Sequence, residues 1–286
     1  MNSNSTVQES WDVVIKPVSG WLNINLKEIV QYWSLILLFV RRDFVVFYKQ
    51  TILGPLWYII QPLLNTLVFT LIFGKVAKIS TDGIPPFIFY LSGTIVWSYF
   101  ASCLNQTGKT FVANSQIFGK VYFPRITVPI SIAITAVFQF LIQFTIFLCF
   151  FFYFSIRGST VQPNIYVFTL PLIVLHMAVL SVGLGLIISA VTAKYRDLTY
   201  AMGFLVQLWM YLTPVVYPLS AIPEKFKIFI LINPMTAVVE SFRGVFLGVS
   251  ALTLSDLILS ISITVVVFAL GIIIFSRVEK TFMDTV

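Results

Sequence analysis

Cysteine is nearly absent from this chain of 286 residues: Cys103 and Cys149 are the only two, each isolated within an apolar stretch. That spacing offers neither a disulfide framework nor a metal-type pair, so thiol chemistry is not expected. Histidine is scarcer still, with His176 alone. Charge is thin as well: Asp, Glu, Lys and Arg make up 10% of residues, against 58% hydrophobic and 16% aromatic, with a mean hydropathy of +0.95. Too few polar groups remain to solvate a globular surface of this size. The formal net charge of +7 comes from cations scattered between apolar segments. They form no basic stripe for a phosphate backbone, so nucleic acid is not an expected partner. Residues 1–20 lack the basic start and continuous apolar core of a signal peptide, and the expected N-terminus is cytoplasmic.

What the chain has in quantity is long hydrophobic runs. Runs near the length needed to cross a bilayer, about 20 residues, fall at 53–76, 86–111, 126–156, 165–193, 198–217 and 254–275. The fold class expected is therefore all-α integral membrane with six transmembrane helices. The third and fourth runs exceed the bilayer thickness and must tilt or extend into water. With the N-terminus inside, 12 of the 18 Lys and Arg residues fall on the cytoplasmic side, the excess that the positive-inside rule describes. Both termini are then cytoplasmic.

Two segments depart from this pattern. Within 26–50 the apolar run 29–40 is short, bracketed by Lys27, Glu28, Arg41, Arg42 and Asp43, and carries the interfacial residues Tyr32 and Trp33. It reads as an amphipathic helix in the cytoplasmic interface, with a seventh span as the alternative. Within 218–248, Pro218, Pro223 and Pro234 interrupt a moderately apolar stretch, which reads as two half-helices, 224–232 and 235–247, re-entering the external leaflet.

The spans contain almost no ionisable group away from their ends, so acid–base catalysis is not expected. His176 reads as a histidine satisfied by a neighbouring helix, because a proton relay needs a carboxylate partner. Gly108, Lys109 and Thr110 match the end of a phosphate-binding loop, but the first glycine of that motif would fall at Cys103 and no strand precedes it. Uncharged polar residues do recur at helical spacing: Tyr58, Gln61, Asn65 and Phe69 in the first run, Ser98, Ser102, Asn105 and Lys109 in the second. Thr135, Gln139 and Gln143 do so in the third, and Phe204, Gln207 and Tyr211 in the fifth. Each stripe suits helix–helix hydrogen bonding, at about 0.6 kcal/mol per contact. Each also suits the wall of a conduit offering amides, hydroxyls and aromatic faces to a neutral, hydroxyl-rich substrate such as a sugar chain.

Several strings, in this order, carry a resemblance: Arg42-Asp43, then Tyr48-Lys49-Gln50-Thr51-Ile52-Leu53-Gly54, Gln61-Pro62, and Lys120-Val121-Tyr122-Phe123-Pro124-Arg125. Lys194-Tyr195-Arg196-Asp197, Pro214-Val215-Val216-Tyr217-Pro218 and Asn233-Pro234-Met235 follow. Over nearly the whole chain they are similar to the permease subunits of bacterial ABC polysaccharide exporters, which carry O-antigen, capsule or teichoic acid. The resemblance implies a homodimer in the inner membrane, surrounded by membrane lipids and moving a lipid-linked polysaccharide outward. Two copies of a nucleotide-binding ATPase subunit would bind ATP and Mg beneath it, leaving this chain without a cofactor, a metal or an enzymatic activity of its own. The division implied is a cytoplasmic segment 1–25, an interface helix 26–50, a permease domain 51–276 containing the re-entrant region 218–248, and a cytoplasmic tail 277–286. The first and fifth spans would line the conduit, which makes Tyr58, Gln61, Asn65, Phe69, Phe204, Gln207 and Tyr211 the substrate-channel candidates. The loop 114–125 and the interface helix would couple to the ATPase through Arg41, Arg42, Lys49, Gln116, Phe118, Lys120, Tyr122 and Arg125. An exporter of drugs or small lipids with the same architecture is the alternative. An intramembrane glycosyltransferase has only Glu240 and Arg243 in its favour.

Overall fold

A computed structural model describes residues 26–49, 53–158 and 164–282. They are helical, without strands among them. Two helices, α1 (Leu26–Gln31) and α2 (Trp33–Lys49), replace the single helix expected over 26–50. Tyr32 marks the break, its carbonyl accepting from the backbone N–H groups of both Leu35 and Ile36. After a turn at Gly54–Leu56 comes α3 (Trp57–Phe69), which continues through a wider π-helical turn at Thr70–Val76. Pro62 lies inside α3, where it cannot donate to the preceding turn.

Helix α4 (Pro86–Thr107) opens with proline in its first turn, where the missing N–H costs nothing. It ends at Thr107, four residues short of the expected 86–111 boundary, with Gly108 as its C-cap, where a Cβ would meet Ile188 Cγ2 at 2.8 Å. A separate helix, α5 (Thr110–Phe118), then occupies the first half of what was expected to be a loop. α6 (Thr127–Ile156) and α7 (Leu170–Lys194, entered through a tight turn at Ile165–Thr169) are the long spans. α8 (Leu198–Leu212) has 15 residues rather than the 198–217 read from hydrophobicity. Thr213 turns extended ahead of Pro214, as a residue preceding proline does. α9 (Glu224–Ile232) and α10 (Pro234–Leu247) meet at a bend of 99°. Asn233 caps α10 by accepting from the Met235 N–H at 3.1 Å. α11 (Leu254–Phe282) closes the chain.

Among the described residues five helical segments are long and apolar enough to cross a bilayer, and the bent pair α9–α10 would make a sixth if it were one span. α4 is the hub: it packs on α3, α6, α7 and α10, and most of its side chains are buried. α7 and α11 approach closely through facing glycines, since a Cβ on Gly183 would meet Phe268 Cα at 2.8 Å and one on Gly271 would strike the Gly183 carbonyl. Phe140, Phe147 and Phe151 of α6 pack edge-on or tilted against Phe242 and Phe246 of α10.

Candidate functional site

Four of the helices above enclose an open cavity of about 800 Å³, with α2 at one end. From α3 the wall takes Tyr58, Gln61, Asn65 and Phe69, all four residues of the first stripe. α8 contributes Gln207 and Tyr211, together with Gly203, Val206 and Met210. That stripe centres on Gly203. Phe204 lies about 100° round the helix from Gly203, at 62% exposure, and is not part of the wall.

Asn105 of α4 faces the same space without a hydrogen-bond partner among the described residues, while other polar residues of α4 and α6 there are engaged with one another. Ser102 Oγ donates to Gln139 Oε1 at 3.1 Å, and Gln106 Nε2 donates to Ser102 Oγ at 2.9 Å. Gln143 lies outside the cavity, buried, donating to Ser98 Oγ at 3.2 Å. Lys109 is exposed and also outside it. Gln61, Asn65 and Gln207, by contrast, have no hydrogen-bond partner among the described residues. The amides of Gln61, Asn65 and Gln207, and that of Asn105 on α4, are therefore available to bond whatever fills the cavity, whereas the Ser102–Gln139 bond holds α4 and α6 together at its back. Aromatic planes frame this space: Trp57 and Tyr58 near one end, Trp97 at the back, Tyr211 near the other end.

The coupling candidates separate into two groups. Arg41, Lys49, Gln116, Lys120 and Tyr122 are exposed. Phe118 is buried, with ring centroids 6.1 Å from Phe111 and 5.7 Å from Phe123, so it anchors the loop and is not presented to a partner. Arg125 lies over the Phe118 ring at 5.4 Å, and both its backbone N–H and its guanidinium donate to Glu279. Burial lowers the pKa of that guanidinium and Glu279 opposes the shift; an arginine keeps its charge at neutral pH regardless. Arg42 packs on Phe39 at 4.8 Å and contacts Asp43 Oδ1 at 2.8 Å.

Two further polar groups are fully used by the fold. His176 Nε2 is 2.9 Å from Thr264 Oγ1 and 3.3 Å from Ser260 Oγ, so it joins α7 to α11, the packing role read for it from sequence. Arg243 does more than the short-helix ion pair its spacing indicated. Its Nη1 is 3.2 Å from Glu240 Oε1 and also donates to the Pro214 carbonyl, its Nη2 donates to the Val215 carbonyl at 2.7 Å, and its Nε reaches Ser92 Oγ at 3.4 Å. The prolines at 214 and 218 were the available signal: they end α8 and leave carbonyls without helical partners.

The family model for the ABC-2 type transporter matches residues 34–247. Relatives include the O-antigen export system permease protein RfbA of Klebsiella pneumoniae, 28% identical over 92% of this chain and 99% of its own length. A protein of the same name from Myxococcus xanthus is 27% identical over 77% of this chain and 83% of its own. The polysialic acid transport protein KpsM of Escherichia coli is 26% identical over 67% of this chain and 72% of its own.

Proposed function

The chain belongs to the ABC-2 type transporter family, and from that premise we propose that it is the membrane permease of an ATP-driven polysaccharide exporter. Two copies would form a channel in the bacterial inner membrane, and a separate pair of ATPase subunits would drive a lipid-linked glycan through it. The observation that carries this reading is the cavity: free amides of α3 and α8 face it, aromatic planes frame it, and the α4–α6 hydrogen bonds fix its back. A polymer in transit needs many weak contacts rather than one tight site, and a wall of neutral donors and acceptors provides them. The relatives named for O-antigen and polysialic acid transport support the choice of a glycan over a drug or small lipid.

In this reading there are six spans, with α8 as a short fifth, and both termini are cytoplasmic. α2 lies in the cytoplasmic interface, and α9–α10 re-enter from the external side. The exposed residues Lys120 and Tyr122, with Arg41 and Lys49 beside them, would meet the ATPase. ATP and Mg would be held by that partner. Depleting this chain while the glycosyltransferases and ATPase continue to be made tests the assignment. Polymer should accumulate inside the cell and vanish from its surface; undiminished surface polymer would refute it.

A further inference from the structure

One charged side chain lines the cavity among the described residues, and it is acidic: Asp43. No Lys, Arg or His among the described residues stands in the wall. Arg42 touches Asp43 from outside the wall, and both of its contacts, at 2.8 and 2.9 Å, fall on Oδ1. Oδ2 has no partner among the described residues. Asp43 lies at the end of the cavity where Trp57 and Tyr58 begin α3 and where Gln106 nears the end of α4. A carboxylate oxygen beside aromatic planes is the pairing that suits a sugar ring: vicinal hydroxyls donate to the oxygen while the C–H face lies on the ring.

Resting on the polysaccharide reading above, we propose that Asp43 selects for a glycan built from uncharged sugars at this end of the cavity. A neutral sugar offers hydroxyl donors to Asp43 and to the free amides of Gln61 and Asn65. A uronate or sialate would bring a carboxylate against the open Oδ2, while the cation that touches Asp43, Arg42, is engaged on Oδ1 from outside the wall. The chain as a whole carries a net charge of +7, so non-specific electrostatics alone would favour the acidic polymer. Discrimination in the opposite sense is therefore attributable to the wall.

The purified full-length chain is titrated with a linear hexamer of mannose and with a hexamer of galacturonic acid, each in low and high NaCl. Binding is followed by intrinsic fluorescence, to which Trp57 and Trp97 in the wall contribute. The mannose hexamer should bind with an affinity that salt does not change. The galacturonate hexamer should bind at least tenfold more weakly at about 10 mM salt and close most of that gap at about 300 mM, where screening shortens the repulsion. Asp43→Asn should bring the two within about threefold at low salt. Galacturonate binding as tightly as mannose in the unmodified chain, or weakening as salt rises, overturns the selectivity. Binding of neither hexamer counts against the polysaccharide reading itself and removes the selectivity with it. Should Asp43→Asn fail to fold, the salt series on the unmodified chain decides alone.

Discussion

The guanidinium of Arg243 lies 3.8 Å over the ring of Phe89, tying α10 to α4, while its nitrogens take up the carbonyls that the end of α8 leaves unpaired. Both Arg243 and Glu240 are buried, so the pair is a place where losing one partner is costly. Arg243→Met should destabilise the fold by about 3–5 kcal/mol, since Glu240 is left uncompensated. Glu240→Gln/Arg243→Met should recover part of that loss. Thermal melting of the purified protein in detergent checks this. An Arg243→Met variant that melts with the parent would mean that the clamp is dispensable.

Arg125 is fixed to Glu279 and Phe118, whereas Lys120 and Tyr122 are exposed. Lys120→Glu/Tyr122→Ala should therefore leave the chain inserted and its melting temperature nearly unchanged, while reducing co-purification with the ATPase several-fold. Arg125→Glu should lower both, because it also breaks the loop's attachment to α11. Equal recovery of ATPase with the Lys120/Tyr122 variant would remove the loop from the docking surface.

Ser220, hydrogen-bonded to Asp82 at 2.8 Å, and Ser115 on α5 sit on opposite sides in the proposed topology. With exposed Cys149 first changed to serine, Ser220→Cys should react with an impermeant thiol reagent on intact spheroplasts. Ser115→Cys should react only after lysis. The reverse pattern would place both termini outside.

Hydrophobic runs locate the long helices because a single apolar segment can satisfy its own backbone in lipid only as a helix, and Pro234 marks the bend between α9 and α10. The face shared by Tyr58, Gln61, Asn65 and Phe69 was legible from spacing alone, since that property belongs to a single helix. Which polar groups stay free was not. Ser102 and Gln139 are spent on each other only because α4 packs on α6, and spacing within either helix cannot reveal that. Phe204 looked equivalent to Gln207, yet it sits at the margin of its stripe, about 100° round α8 from Gly203, and is exposed outside the wall. The early end of α8 was legible in Thr213-Pro214, but hydrophobicity continues through Val215 and Val216 and masks it.

The central claim is that polymer passes along the wall formed by α3 and α8, and Asn65 tests it most directly: it lines the cavity with no hydrogen-bond partner among the described residues. Asn65→Ala should lower surface polymer by less than about twofold, because one weak contact among many is lost. Asn65→Trp should abolish surface polymer by filling the passage, while insertion, ATPase co-purification and basal ATP hydrolysis stay within about twofold of the parent. Surface polysaccharide and ATPase activity of the purified complex are measured together. Normal export by Asn65→Trp would contradict the account, and loss of assembly would assign Asn65 to helix packing instead.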